Sequence, residues 1–107
     1  MNAKIQISEL LIDIEYELRK LDAWEHSAPS KDALSSVQPF SIDTLKFTQW
    51  LQFIFIPKIR DIVESNGLLP EKCEITPMAE EYFRDTKLAA AQLLHTLRKI
   101  DQIITKN

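Results

Sequence analysis

The sequence predicts an all-α fold, a single-domain helical bundle of four main helices over residues 1–107, with its central helix kinked near Pro57. A single glycine in 107 residues favours an all-α fold, because turn-dense β structures need several glycines to reach positive φ. Apolar residues also recur at intervals of three and four, which is the helical period. The apolar content of 45% and charged content of 27% are typical of a folded globular domain.

The first helix is predicted for residues 4–24, where apolar residues form a stripe along one side. The stripe consists of Ile7, Leu10, Leu11, Ile14, Leu18, Leu21 and Trp24. A thinner apolar row lies opposite, and its members are Ile5, Ile12, Tyr16 and Ala23. Single exposed apolar residues are common, so partial exposure is the simpler interpretation of this row and a small partner contact is the alternative.

Residues 25–43 are rich in serine and proline and form the longest irregular segment. Ser30 can cap one helical turn at Lys31–Leu34. Long connections in a compact domain are usually functional or held by their own apolar anchors. Val37, Pro39 and Phe40 are the expected anchors.

The central helix is predicted to begin with a cap at Asp43 or Thr44 and to run to Ser65. Asn66-Gly67 is expected to end this helix with a residue in the left-handed backbone conformation. A third helix follows from Thr76, as the capping hydroxyl with proline after it, to Arg84. Asp85-Thr86 is expected to begin the last helix. The buried face of that helix would comprise Ala90, Leu93, Leu97, Ile100 and Ile104.

Within the central helix the apolar face changes direction at Pro57. The apolar residues before Pro57 are Phe47, Trp50, Leu51, Ile54 and Phe55, and those after it are Ile59, Ile62 and Val63. The two groups differ by about one residue's worth of helical rotation. Proline also removes a backbone donor and clashes with the carbonyl four residues back. We therefore expect a kink or break near Phe53–Pro57, with residues 53–56 buried on all sides.

The sequence excludes several kinds of catalytic site. Its single cysteine, Cys73, rules out an intrachain disulfide and a cysteine-cluster metal site, and is expected to be a small core or loop residue. His26 and His95 lie in no metal-binding motif, and one glycine cannot build a phosphate-binding loop. No catalytic, cofactor-binding or metal-ligating residue is predicted, so the chain is not expected to be an enzyme.

Charge and hydropathy constrain the partners and the location. The net charge of −3 provides no general basic field for nucleic acid. No stretch reaches the ~18 uncharged apolar residues of a membrane span, and the N-terminal segment lacks a signal-peptide core. The expectation is a cytoplasmic protein that does not bind membranes. Direct nucleic-acid binding through a local basic and aromatic patch, with Lys58 and Arg60 beside the central aromatic residues, is the weaker alternative.

Four short motifs follow one another in the middle of the chain: Gln38-Pro39-Phe40, Trp50-Leu51-Gln52, Ile56-Pro57-Lys58 and Leu69-Pro70. In this order and spacing they resemble the YqcC-like family of small bacterial proteins. The resemblance implies an all-α bundle of uncharacterised biochemical function. It also implies an association with tRNA modification, since genes of the family often lie beside a tRNA pseudouridine synthase of the TruC type.

These observations predict a non-enzymatic interaction protein, with a tRNA pseudouridine synthase as the partner that the resemblance implies. The predicted contact surface combines the loop before the central helix with the outer flank of that helix. Its residues are Gln38, Asp43, Gln49, Gln52, Lys58 and Arg60. For Gln38 and Asp43, bonding to the loop backbone or capping the helix explains the residues equally well. A small-ligand pocket opened at the Pro57 kink is a further alternative.

Overall fold

The computed structural model describes residues 3–106, which contain helices and loops and no strand. The α-helices are α1 (Ala3–Lys20), α2 (Lys31–Leu34), α3 (Phe47–Trp50), α4 (Ile56–Glu64), α5 (Thr76–Arg84) and α6 (Ala91–Lys106). A π-helical segment, Leu51–Phe55, joins α3 directly to α4, and residues 47–64 are called the central helix below. With α1, α5 and α6, the central helix makes four main helices, so the predicted fold class is confirmed.

The core is built chiefly on the packing of α1 against α6. Their fully buried aliphatic residues are Ile7, Leu11, Ile14, Leu18, Leu93, Leu97, Ile100 and Ile104. Burying one such side chain contributes about 1.5–3 kcal/mol, so this helix pair dominates the apolar stabilisation. The central helix and α5 complete the core. No helix within residues 3–106 has the length and apolar character needed to cross a bilayer.

Helix α1 ends at Lys20, four residues earlier than predicted. Asp22 adopts a left-handed backbone conformation with φ 58°, and the Ala23 N–H donates to the Leu18 carbonyl at 2.9 Å. This arrangement satisfies carbonyls at the end of the helix and reverses the chain. Although they lie outside the helix, Leu21 and Trp24 still pack against the core.

The break predicted near Pro57 takes the form of the π-helical segment. The Ile56 N–H donates to the Leu51 carbonyl, five residues back instead of four. A π turn adds one residue to a helix, which is the rotation needed to bring both apolar faces to the same core. Phe55 and Ile56 are buried as predicted, whereas Phe53 and Ile54 are only half-buried.

The start of the central helix differs from the prediction, whereas the left-handed stop predicted at Asn66-Gly67 is confirmed. The helix begins at Phe47 after Lys46, so neither Asp43 nor Thr44 caps it. At the other end Asn66 takes the left-handed conformation with φ 57°, and Gly67 does not. The Gly67 N–H donates to the Ile62 carbonyl at 2.8 Å, which closes the last turn.

The remaining elements follow the predicted order with shifted boundaries. The Ser30 hydroxyl accepts from the Ala33 N–H at 3.1 Å, as expected for the cap of α2. Helix α6 begins at Ala91 instead of Asp85-Thr86. Of the three loop anchors, Val37 is 93% exposed and Pro39 is exposed, so only Phe40 packs against the core.

Candidate interaction surface

The loop before the central helix is held by its own polar side chains. The Ser36 hydroxyl donates to Asp43 Oδ1, and the Gln38 N–H donates to Ser36 Oγ at 3.1 Å. The Thr44 hydroxyl donates to the Ala33 carbonyl at 2.7 Å and so ties the loop to α2. Asp43 therefore braces the loop, while the Gln38 side chain is exposed.

Gln52 and Gln49 hold the segment that follows α1. The Glu25 N–H donates to Gln52 Oε1 at 2.9 Å, and Gln52 Nε2 donates back to the Glu25 carbonyl at 2.8 Å. Gln49 Nε2 donates to a Glu25 carboxylate oxygen at 3.3 Å, while Gln49 Oε1 accepts from the Lys46 N–H at 2.8 Å. Gln49 thus helps to cap the start of the central helix.

Gln52 was expected on the outer flank of the central helix, and that placement is wrong, because the side chain is only 7% exposed. Thr48, which lies one helical turn before Gln52, is buried too. The reason is that the loop after α1 folds over this side and gives both the oxygen and the nitrogen of the Gln52 amide a hydrogen-bond partner. Lys58 and Arg60 are exposed on α4 and form no ion pair within residues 3–106.

An aromatic cluster lies under the loop before the central helix. Phe40 meets the Trp50 ring edge-on with centroids 4.8 Å apart, although its own backbone is left-handed with φ 57°. Trp50 stacks on Phe55 at 5.5 Å, and Phe47 continues the cluster to Tyr82 and Phe83 of α5. These rings contact one another, which leaves fewer faces for the base stacking that the RNA-binding alternative requires.

Two other arginines that could contribute positive charge to an RNA-binding surface are engaged in ion pairs. Arg84 pairs with Glu81 at 2.9 Å and Arg98 pairs with Glu80 at 3.4 Å. Exposed pairs of this kind contribute little to stability, but they place a negative charge beside each guanidinium. The geometry therefore gives the RNA alternative no additional support.

A polar cluster missed by the sequence reasoning joins α6 to the start of α5. The Asp101 carboxylate accepts from the Ile75 and Thr76 N–H groups at 2.9 and 2.8 Å and from the Thr76 hydroxyl at 2.6 Å. The predicted capping by the Thr76 side chain is thus wrong, because Asp101 supplies the acceptor. An anion at a helix N-terminus is stabilised by the exposed N–H groups and the helix dipole.

Cys73 adjoins this cluster, and its thiol donates to Asp101 Oδ1 at 3.1 Å. Burial raises the pKa of the thiol well above its ordinary range, and the bond to the Asp101 carboxylate raises it further. Such a thiol is a poor nucleophile, because the thiolate is the reactive form. The cysteine is a buried residue, as its isolation in the sequence suggested.

Neither a metal site nor a pocket at Pro57 emerges from the geometry. No three His, Cys, Asp or Glu side chains within residues 3–106 are grouped as metal ligands. Five surface depressions of that range lie between α1 and α6, beside α5 and α6, and next to the loop after α1, and none of these five is lined by Pro57. The small-ligand alternative gains no support from them.

Three related proteins place the chain among known sequences. An uncharacterized protein of Haemophilus influenzae is 32% identical over 102 residues, which cover 95% of each chain. The uncharacterized protein YqcC of Escherichia coli is 29% identical over 84% of this chain and 83% of its own length. A Pectobacterium carotovorum protein named tRNA pseudouridine synthase C is 37% identical over 70 residues. That match covers 65% of this chain and only 19% of the Pectobacterium protein.

The fold has a solved counterpart. The solution NMR structure of YqcC from Escherichia coli matches this structure with a TM-score of 0.84 at 27% identity, covering 98% of this chain and 90% of that one. The resemblance to YqcC-like proteins is therefore confirmed. A family model, DUF446, described as tRNA pseudouridine synthase C, matches residues 6–103. This all-α chain thus belongs to the DUF446 family.

Proposed function

We propose that this chain is a non-enzymatic accessory protein that binds a tRNA pseudouridine synthase and serves as its adaptor. The supporting observation is the relative from Pectobacterium carotovorum. About four fifths of that protein, which is named tRNA pseudouridine synthase C, lies outside the segment that resembles this chain. In the relative the two parts are covalently joined, and the proposal is that here the same two parts associate without a covalent link.

An accessory role also agrees with how the polar side chains are used. Gln52 is occupied by both backbone groups of Glu25, and the Asp101 carboxylate by the start of α5. Cys73, the one thiol, has a raised pKa because it is buried beside that carboxylate. These groups hold loops and helix ends in place. The exposed members of the surface predicted from sequence are Gln38, Asp43, Lys58 and Arg60.

A binding experiment tests the proposal. The purified chain is titrated into the purified tRNA pseudouridine synthase C of the same bacterium in a calorimeter. We expect a saturable complex with a Kd of about micromolar or tighter, the range of a specific protein pair. In a parallel assay on unmodified tRNA, we expect the chain alone to form no pseudouridine and the mixture to differ in rate from the synthase alone.

The contradicting outcomes are distinct from one another. Absence of binding at low salt, together with an unchanged synthase rate, would refute the adaptor role. Pseudouridine formed by the chain alone would show that it is an enzyme. Tight binding of tRNA to the chain alone, weakening steeply between two salt concentrations, would instead support the RNA-binding alternative.

A further inference from the structure

The outer face of α1 carries large apolar side chains that no other element covers. Ile5, Ile12 and Tyr16 are 53%, 64% and 60% exposed. Their spacings of seven and four residues place them on one side of the helix. The other large exposed apolar residues of the described chain lie in loops: Val37, Ile42, Leu68 and Leu88. A row along a rigid helix can fit a partner in one orientation, which scattered loop residues cannot.

Two carboxylates accompany the row, and neither of them is held in an ion pair within the described chain. Glu9 and Asp13 are exposed on the same side of α1, and neither forms an ion pair or side-chain hydrogen bond within residues 3–106. In contrast, the basic residues of α1 are engaged. Arg19 pairs with Glu15 at 3.0 Å, and Lys20 lies 3.7 Å from Glu17 and 5.4 Å from the Tyr16 ring centroid.

A shallow groove between α1 and α6 runs beside these carboxylates. Gln6, Glu9, Leu10 and Asp13 line it from α1, and Lys99, Gln102 and Ile103 line it from α6. Lys99 forms no ion pair with either carboxylate. The carboxylates therefore stand between the apolar row on one side and the groove on the other. A helix seated on the row could place basic side chains against Glu9 and Asp13 while its apolar side chains cover Ile12 and Tyr16.

We propose that this outer α1 face, consisting of Ile5, Glu9, Ile12, Asp13 and Tyr16, is a docking surface for a helix with apolar and basic side chains. The inference rests on the proposed function, and it assigns that helix to the tRNA pseudouridine synthase. Charge complementarity favours this occupant. An enzyme that holds tRNA must carry positive charge, whereas a second copy of this chain would bring the same unbalanced carboxylates.

The test compares paired variants in calorimetric titration with the purified synthase C of the same bacterium. The apolar variant combines Ile12→Ser and Tyr16→Ser, and the charge variant combines Glu9→Lys and Asp13→Lys. We expect each to raise the Kd at least about tenfold, as loss of a central contact does. The matched controls are Leu68→Ser, an apolar side chain 95% exposed in a loop, and Glu64→Lys, an exposed carboxylate on α4. We expect both controls to bind like the wild type.

The outcomes separate this inference from the function on which it rests. Wild-type chain that fails to bind the synthase overturns both. Wild-type binding that the α1 variants leave unchanged overturns the docking face alone, and a loss confined to Lys58→Glu with Arg60→Glu would move the contact to α4. A dimer of the chain that dissociates with Ile12→Ser and Tyr16→Ser would assign the face to a second copy and overturn the proposal. Circular dichroism of each variant, with unchanged helicity, shows that binding and not folding was altered.

Discussion

Gln52 is buried, and its side-chain amide accepts a hydrogen bond from the Glu25 N–H and donates one to the Glu25 carbonyl. A primary amide has one acceptor and one donor side, and the backbone of an extended residue presents the complementary pair. Glutamine is therefore suited to hold the loop after α1 against the central helix. Its burial follows from this fit, since a buried polar group is tolerated when its hydrogen bonds are made.

Replacing Gln52 with alanine should destabilise the protein by about 1–3 kcal/mol, because the Glu25 N–H and carbonyl lose their partners in a part-buried place. Urea unfolding followed by circular dichroism measures this change. Gln102→Ala, at an exposed position of α6, is the control and should alter the free energy of unfolding by less than about 0.5 kcal/mol. Equal effects of the two substitutions would show that the Gln52 bonds are unimportant for stability.

The Cys73 thiol should react slowly in the folded protein. Its pKa is raised by burial and then by the Asp101 carboxylate, so less thiolate is present at any given pH. At pH 8 we expect iodoacetamide, followed by mass spectrometry, to modify the native chain far more slowly than the urea-unfolded chain, whose thiol has a pKa of about 8.5. Asp101→Asn should give an intermediate rate. Equal rates for the native and unfolded chains would contradict the raised pKa.

The raised pKa of the Cys73 thiol also makes the free energy of unfolding depend on pH. The folded state holds the Cys73 proton more tightly than the unfolded state does. Its contribution to stability is therefore fully present below the ordinary thiol pKa of about 8.5 and is lost as the pH rises above it. A Cys73→Ala variant should lack this part of the alkaline decline in unfolding free energy.

Among the helices, the central one depends on its π-helical segment, Leu51–Phe55. The segment rotates the later half of the helix so that Ile56 and Ile59 face the core that also buries Leu51. It also precedes Pro57, which cannot donate a backbone hydrogen bond. One extra residue in the helix thus aligns the two apolar faces with the same core and accommodates the missing N–H donor of Pro57.

Deleting Phe53 should turn the π segment into ordinary α-helix and leave both apolar faces on the core. Pro57 would then lie in a regular helix interior, which costs about 3 kcal/mol. We therefore expect the deletion combined with Pro57→Ala to be more stable than the deletion alone by about that amount, measured by urea unfolding. Pro57→Ala in the full-length chain is the control and should change stability less. If the alanine stabilises both backgrounds equally, the π segment does not serve the proline.

The helices could be predicted from local patterns, and the polar contacts between residues far apart in sequence could not. The apolar stripe of α1, the change of face at Pro57 and the Ser30 cap each depend on residues close in sequence. Gln52 binds a residue 27 positions away, and Asp101 caps a helix that begins 25 positions earlier. The helical period alone places Gln52 on an exposed side, because a loop that folds back over a helix leaves no periodic signal in the sequence.

For the molecule as a whole, composition and period were sufficient to predict the fold class. One glycine and several helical stripes leave few arrangements other than a helical bundle. The candidate surface was less predictable. Exposed apolar side chains on α1 were visible in the sequence as a second row, but only the packing of α6 and the central helix shows which side of α1 stays uncovered.

The packing of α1 against α6 also bears on how the protein is made. Helix α1 leaves the ribosome before its main partner α6 has been synthesised, so its apolar side lacks that native cover while residues 21–90 are translated. Contacts between distant parts of a chain form late, and surfaces waiting for them are prone to aggregation. We therefore expect the core to be completed only after α6 has emerged.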